Sequence, residues 1–458
     1  MKQLILLLVF VISASCAQNQ GDVSASATLI SDVNIIDVAS GEILRSQNVI
    51  IDSGKISQIS ESIKHAELYT KKIDGKDKFL MPGLAEMHAH IPQPSETNPG
   101  IVDETLFLYL SNGITTIRGM LGHPSHLNLR EKSKNNEILA PRIYTSSPSL
   151  NGNTIKTVAE AKEKVARYEN EGYDFLKIHP GIQLEVFDAA INTAKEVGIP
   201  FAGHVPVDVG VRHAMESGYA SIDHIDGFLE GLVPDSENVN PNDNGFFGYN
   251  FTALADKDYM DELVIMSKEH KVWIVSTQSL FERWFAPITA EELLEEPEMK
   301  YMAKSTLDNW KSIKARYTEN EAFDETQWEN FNTIRRALML KLQKDGHGML
   351  LGSDAPQLFN VPGFSIHHEI EGMRKAGLTP LEIIQSGTLN PAVYFNATDS
   401  FGQVKEGLGA DLMLLSANPL EDLSALKNLT GVMVKGQWLS KEDIDSRLAE
   451  IAEANIGK

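Results

Sequence analysis

Six residues able to bind a metal ion or to move a proton are spread through the chain, each at or near the end of a short apolar run: His88, His90, Lys177, His204, His224 and Asp354. His88 and His90 close one such run behind a Pro82-Gly83 turn, and because strand side chains alternate, residues two apart share a face. Alone, a His-x-His pair is as often a surface or structural feature as half of a metal site. Four further donors downstream tip that balance. Four imidazoles and a carboxylate suit Zn or a similar divalent ion, with Mn, Fe and Co also compatible. Lysine is the unusual member, since an ammonium has no lone pair to offer. Burial lowers its pKa, and a neutral amine adds carbon dioxide to give a carbamate, whose two oxygens can bridge two ions. An inward-facing Lys177 therefore points to two divalent metal ions. The competing readings are a lysine paired with a carboxylate and, for His204 and His224, hydrogen-bonded core histidines.

Eight short apolar runs, at 84–90, 113–118, 142–144, 173–178, 199–204, 220–224, 272–275 and 348–352, carry these residues and alternate with amphipathic helical stretches. Eight is the count of a (β/α)8 TIM barrel, in which catalytic groups stand at the C-terminal ends of the strands. The helical stretches support it: over 157–170, Val158, Ala161, Val165 and Tyr168 recur on one face. Two connections are too long to be turns. One is about 228–270, with a Gly/Asn-rich polar loop, and the other is 279–345, largely helical, with Trp284, Trp310 and Trp328. Insertions at this end of a barrel shape a substrate pocket, or serve equally as outer decoration or a homo-oligomer contact.

Outside the barrel segment, 82–395, both chain ends show alternating short strands, at 28–81 and 396–440. Neither makes a sheet by itself, so they are expected to pair into one small flanking β-sandwich, followed by a C-terminal helix over 441–458. Residues 1–16 have the pattern of an export signal: Lys2, an apolar stretch over 4–12, then Ser13, Ala14 and Ser15. Two cleavage readings compete, a lipoprotein signal with Cys16 as the lipidated first residue and ordinary cleavage after Ala17. Cys16 is the chain's one cysteine and has no other evident role, which favours lipidation and excludes internal disulfides. Export to the periplasm or cell-envelope membrane follows, with secretion as the alternative, and 17–27 would be a flexible tether. The lipid would be the protein's only link to a membrane. With 41 Lys and Arg against 63 Asp and Glu, the net charge of −22 would repel polyphosphate backbones, so nucleic acid is not an expected partner.

The motifs Pro82-Gly83-Leu84, His88-Ala-His90, Gly113-Ile-Thr-Thr116, Asp174-Phe-Leu-Lys177, Gly203-His204, Ser221-Ile-Asp-His224, Gly352-Ser-Asp354-Ala355, Asn390-Pro391 and Gly407-Leu-Gly-Ala-Asp-Leu412 occur in this order. In them the chain resembles the amidohydrolase superfamily, nearest its branch of imidazolonepropionase-like proteins and Xaa-Pro dipeptidases. The resemblance implies the barrel, the flanking β domain and a two-metal site. His88 and His90 with Asp354 would hold the more buried ion, His204 and His224 the more exposed one, and carboxylated Lys177 would bridge them. It further implies attack by a metal-bridged hydroxide, with Asp354 taking the proton and passing it to the leaving amine.

The implied function is hydrolysis of a C-N bond, amide or peptide, in a small substrate such as a dipeptide or N-acyl amino acid. An ester, lactone or organophosphate would answer to the same nucleophile. A deaminase fits less well, because Val207 stands where those branches carry a Glu. From another class, a surface-anchored, non-catalytic binding protein could keep the same ligands. Four further residues are candidates for touching substrate. They are His179, on the face of Lys177; His367 and His368, before a helix; and Arg118, which could meet a substrate carboxylate or make an internal ion pair.

Overall fold

The computed structural model describes residues 27–318 and 323–456. The expected signal, Cys16 and nearly all of the tether lie outside the described residues. Five strands, β1 (Thr28–Ile36), β2 (Ile43–Asp52), β3 (Lys55–Ser60), β4 (Lys71–Asp74) and β5 (Phe79–Pro82), form from the N-terminal segment. Eight more follow: β6 (Leu84–Ala89), β7 (Ile114–Gly119), β8 (Arg142–Thr145), β9 (Leu176–Ile178), β10 (Phe201–Gly203), β11 (Ser221–Asp223), β12 (Trp273–Val275) and β13 (Met349–Leu350). Near the C-terminus come β14 (Leu412–Leu415), β15 (Leu429–Val434) and β16 (Gln437–Ser440), then a helix, Lys441–Asn455.

The two chain ends do pair, through the antiparallel ladder that sets Leu80 of β5 opposite Leu414 of β14. Hydrogen bonding joins all eight outer strands into one sheet, in the order β16-β15-β14-β5-β1-β2-β3 with β4 also on β1, so the expected sandwich of two sheets is corrected to a single one. The reason lies in β1, whose register shifts between Ile30 and Val33. Its first half pairs with β4 and its second with β5. Ile30, Val33, Ile35, Leu80, Leu412 and Leu414 are buried in this sheet's own core.

Gly83 alone separates β5 from β6. A Cβ there would lie 2.2 Å from Thr115 Oγ1, so only glycine lets the chain cross so tightly from the outer sheet into the parallel strands. All eight expected parallel strands are present, in two sheets, β6-β7-β8 and β9-β10-β11-β12-β13. The ladder is not continuous around the ring. One seam consists of the isolated bridges Ser146 to Phe175 and Leu150 to Ile178, and the other of the bridge Ala89 to Ala355 with Met87 N donating to Leu351 O at 2.8 Å. The fold is thus TIM-barrel-like α/β, with a flanking sheet.

The helix expected at 157–170 is Val158–Glu171, capped reciprocally by Thr157 and Glu160, with Ala161, Val165 and Tyr168 buried. Several strands stop short of their expected ends. β11 ends at Asp223 because His224 and Ile225 have φ of 65° and 55°, left-handed values that cannot continue a strand.

Of the long connections, the first consists of short helices and 3-10 turns and the second mainly of helices, including Lys304–Thr318 and Glu325–Lys344. They pack on each other through aromatic rings, Phe246 meeting Trp284 edge-on at 4.8 Å and Phe285 at 4.7 Å. Lys314 fastens this arrangement. Fully buried, its ammonium donates to the carbonyls of Arg283, Trp284 and Ala286 at 3.3, 2.8 and 2.9 Å, closing the turn that holds Trp284. No helix among the described residues is long and apolar enough to cross a membrane. Replacing Lys314 with Met keeps the stem but strands these carbonyls, and urea unfolding should show a loss of roughly 2–3 kcal/mol.

Candidate metal centre

His88, His90 and Asp354 meet at the C-terminal ends of the parallel strands, their ligand atoms lying within 4.8 Å of one another. His90 Nε2 is 2.6 Å from Asp354 Oδ1, and His88 Nε2 is 3.4 Å from the same oxygen. Two strand-end features aim the carboxylate. Asp354 has φ of 65°, and its N–H donates to His88 O at 3.0 Å. The neighbouring Ser353 is tied to Glu86 by N–H and Oγ–H bonds of 2.7 and 2.6 Å. Glu86 is fully buried, and desolvation pushes its carboxyl up to about 8.

His224 continues the cluster, its ring 4.5 Å from that of His88 and 4.5 Å from that of His204. Each ring has an outer partner: His204 Nδ1 lies 3.0 Å from Asp226 Oδ2, and His224 Nδ1 lies 2.8 Å from Thr277 Oγ1. Such contacts at one ring nitrogen leave the other for a metal. Burial, with nearby cationic groups, holds His88, His204 and His224 well below the usual histidine pKa, so all three are neutral and able to ligate.

Lys177 is fully buried beneath these rings. Its ammonium makes no hydrogen bond, and the nearest carboxylate oxygen, Asp223 Oδ2, is 4.0 Å away. The same oxygen lies 3.0 Å from His88 Nδ1, yet neither atom has an aligned hydrogen-bond partner. A lysine nitrogen, an imidazole nitrogen and a carboxylate oxygen are therefore gathered in the floor with unspent polar capacity. Buried polar groups in that state are costly, and the donor set suits added divalent ions and a carbamate. Desolvation lowers the Lys177 pKa to about 8 against the pull of Asp223 and Asp354. That makes free amine accessible near neutral pH.

The matching family model is that of the amidohydrolases, over residues 79–439. The chain belongs to the amidohydrolase family. This amidohydrolase is 22% identical to the ochratoxinase of Aspergillus niger over 422 residues, 84% of this chain and 81% of that one. It is 35% identical to the dihydroorotase of Carboxydothermus hydrogenoformans over 89 residues, 19% of this chain and 20% of that enzyme. The chain spans only about a fifth to two fifths of the length of the dihydroorotases it matches. Among solved structures, a bottromycin amidohydrolase superposes with a TM-score of 0.73 at 22% identity, covering 94% of this chain and 91% of that one. A Xaa-Pro dipeptidase with bound methionine does so at 0.64 and 21%, covering 90% and 100%. At these identities the structural likeness is one of fold.

The substrate candidates of this amidohydrolase separate cleanly. His179 lines the same pocket, its ring stacked on His204 at 5.0 Å and its Nδ1 2.6 Å from Ser149 Oγ. Arg118 does not reach it. Fully buried, its guanidinium bonds to Asp223 Oδ1 at 2.9 Å, Met87 O at 2.6 Å, and Ser221 Oγ and Tyr394 Oη at 2.8 Å each, which is the internal ion pair. His367 and His368 also lie outside the pocket lining. They begin a helix, Ser365–Lys375, whose contacts run elsewhere: His367 Nε2 to Asn112 Oδ1 at 3.1 Å and His368 Nε2 to Glu298 Oε1 at 2.7 Å. Glu296, Glu298 and His368 form a second group of metal-ligating types, but Arg283 pairs with Glu296 and supplies the positive charge there.

Sequence reading missed Asp223, Asp226 and Glu86. Alternation places Asp223 on the face opposite His224, and only the left-handed turn at His224 brings both to one centre. Burial would raise the Asp223 pKa, but Arg118 and Lys177 outweigh it and hold the group ionised. Asp223→Asn therefore leaves a buried guanidinium uncompensated. Denaturant melts should show a loss of roughly 3–5 kcal/mol, and elemental analysis less bound metal per chain. His367 permits a pH test. Burial, then Lys427 and His368, push its pKa down to about 3, below an unfolded value of about 6.5. Its stabilising effect is thus complete above pH ~6.5 and is lost as pH falls toward the folded value. His367→Gln should show a shallower stability loss than the parent between pH ~6.5 and ~4, read from urea midpoints.

Proposed function

We propose that this protein is a two-metal hydrolase of a C-N bond in a small amide or peptide-like substrate. The observation that carries the reading is the convergence of four imidazoles and Asp354 on a buried lysine amine that has no hydrogen-bond partner. His88, His90 and Asp354 would hold one ion, His204 and His224 the other, and a carbamate on Lys177 would join them. When bound, divalent ions such as Zn acidify water and polarise a carbonyl.

The chain's own residues supply the rest. Asp354, oriented by its backbone bond to His88 and its contact with His90, takes the proton of the attacking water on a carboxylate oxygen and returns it to the leaving nitrogen. Asp226 and Thr277 fix the ring planes of His204 and His224, and Arg118 holds Asp223 under His88. His179, kept neutral by burial, faces the pocket as a polar contact for the substrate carbonyl. The matches to an ochratoxinase, a bottromycin amidohydrolase and a Xaa-Pro dipeptidase support amide chemistry over ester or lactone cleavage. Export and lipidation at Cys16 belong to the same proposal, and the intact mass of protein recovered from membranes checks them.

Elemental analysis should find close to two divalent ions per chain, with a carbamate on Lys177 visible by carbon-13 NMR after labelled bicarbonate. Chelation should abolish hydrolysis of an amide panel, and metal with bicarbonate should restore it. Asp354→Asn should lower kcat by about 10²–10⁴-fold while most of the metal stays bound. One ion or none after reconstitution, or an unimpaired Asp354→Asn enzyme, would overturn the two-metal reading.

A further inference from the structure

The pocket above the metal centre has a volume of about 460 Å³, within the range of small-molecule sites. Its floor is polar: the histidines, Asp226 and Asp354. Its wall is built from the two long insertions, with Phe246 and Phe247 from the first and Leu280, Trp284, Ile313 and Tyr317 from the second. Phe247 stands over the metal histidines, its ring 5.3 Å from His224 and 5.8 Å from His204. The loop presenting it is held in left-handed conformation at three positions, Gly245, Phe247 and Gly248, with φ of 72°, 51° and 81°. Trp284, which is 2% exposed, lies behind Phe246 and meets Tyr317 at 5.1 Å. The wall is therefore a braced surface of aromatic rings, and the buried Lys314 ammonium locks the turn beneath Trp284.

No lysine or arginine lines this pocket among the described residues. Cations on the elements around it are committed elsewhere: Arg118 to Asp223, Arg283 to Glu296 and Lys314 to backbone carbonyls. Arg335 donates to the His224 carbonyl at 2.8 Å and to Gln278 Oε1 at 3.0 Å. A substrate carboxylate lying against the aromatic wall, away from the ions held at the floor, would lose its water without gaining a counter-ion there. A neutral aromatic group loses nothing comparable and stacks on rings already in place.

Resting on the hydrolase reading, we infer that the substrate is an uncharged amide carrying an aromatic or similarly bulky apolar group, and that Phe247 and Trp284 select it. Free dipeptides and N-acyl amino acids, which keep a carboxylate next to the scissile bond, are then poor substrates. Their neutral counterparts, in which that carboxylate is an amide, are the better ones.

The test uses the metal-loaded full chain and three matched probes: N-acetyl-phenylalaninamide, N-acetyl-phenylalanine and N-acetyl-alaninamide. Both kcat/KM and calorimetric binding to the Asp354→Asn protein are measured. The neutral aromatic probe should exceed its carboxylate twin by at least 100-fold in kcat/KM and bind more tightly. Phe247→Ala and Trp284→Ala should each cut the aromatic-over-aliphatic preference about tenfold. Tyr317→Arg, at a half-exposed position on the rim, should improve the carboxylate twin at least fivefold relative to the neutral probe. Equal or better use of the carboxylate twin, or an unchanged preference in both alanine variants, would overturn the inference and leave the hydrolase reading standing. Absence of turnover with tighter binding of the neutral aromatic probe would remove the hydrolase reading and keep the selectivity. Absence of both turnover and that binding preference would remove both.

Discussion

A single buried ion pair underlies the metal centre. The Arg118 guanidinium bonds at once to β6 through the Met87 carbonyl, to β11 through Ser221 and Asp223, and to the helix Leu389–Tyr394 through Tyr394. Such a charge is tolerable in the interior only when its donors are satisfied, and here they are spread over three elements that must hold their spacing to keep it so. The reward is placement. Asp223, held ionised by Arg118, offers its second oxygen to His88 and Lys177, so the cation that stabilises the strands also sets the charge of the floor beneath the histidine cluster.

Above that floor the physics changes from charge to apolar contact. His88, His204 and His224 are neutral because they are buried close to one another and to Lys177, and neutrality is what ligation requires. The insertions then close the mouth with interlocked rings in place of charged side chains. One buried cation, Lys314, serves that wall from behind and never faces the pocket. Charged groups are concentrated at the histidine floor and none belongs to the aromatic wall, a division that favours specificity by shape and apolar area.

Much of this was legible in the sequence, residue by residue. All eight parallel strands lie where short apolar runs alternate with amphipathic stretches. The helix at 158–171 announced itself by the spacing of Val158, Ala161, Val165 and Tyr168, while its Thr157–Glu160 cap emerged with the structure. The histidines, Lys177 and Asp354 stood out because each follows an apolar run, and such positions come together at one rim of a parallel ring. Arg118, His367 and His368 show the limit. By type and position they resembled substrate contacts, but partners up to 276 residues away in sequence, Tyr394 for Arg118 and Asn112 for His367, hold them elsewhere.

Sequence alone determined which residue types could bind metals, the order of the elements that carry them and the amidohydrolase resemblance, because local periodicity and donor chemistry are properties of neighbouring residues. Tertiary structure decided what each side chain meets. It turned His224 and Asp354 inward through left-handed backbone, recruited Asp223 and Asp226, merged the outer strands into one sheet through the irregular register of β1, and brought Phe246 against Trp284 and Phe247 over His204 and His224. Those outcomes depend on burial and on contacts between distant segments, where the cost of an unpaired charge or an unfilled gap is set by the whole surrounding fold.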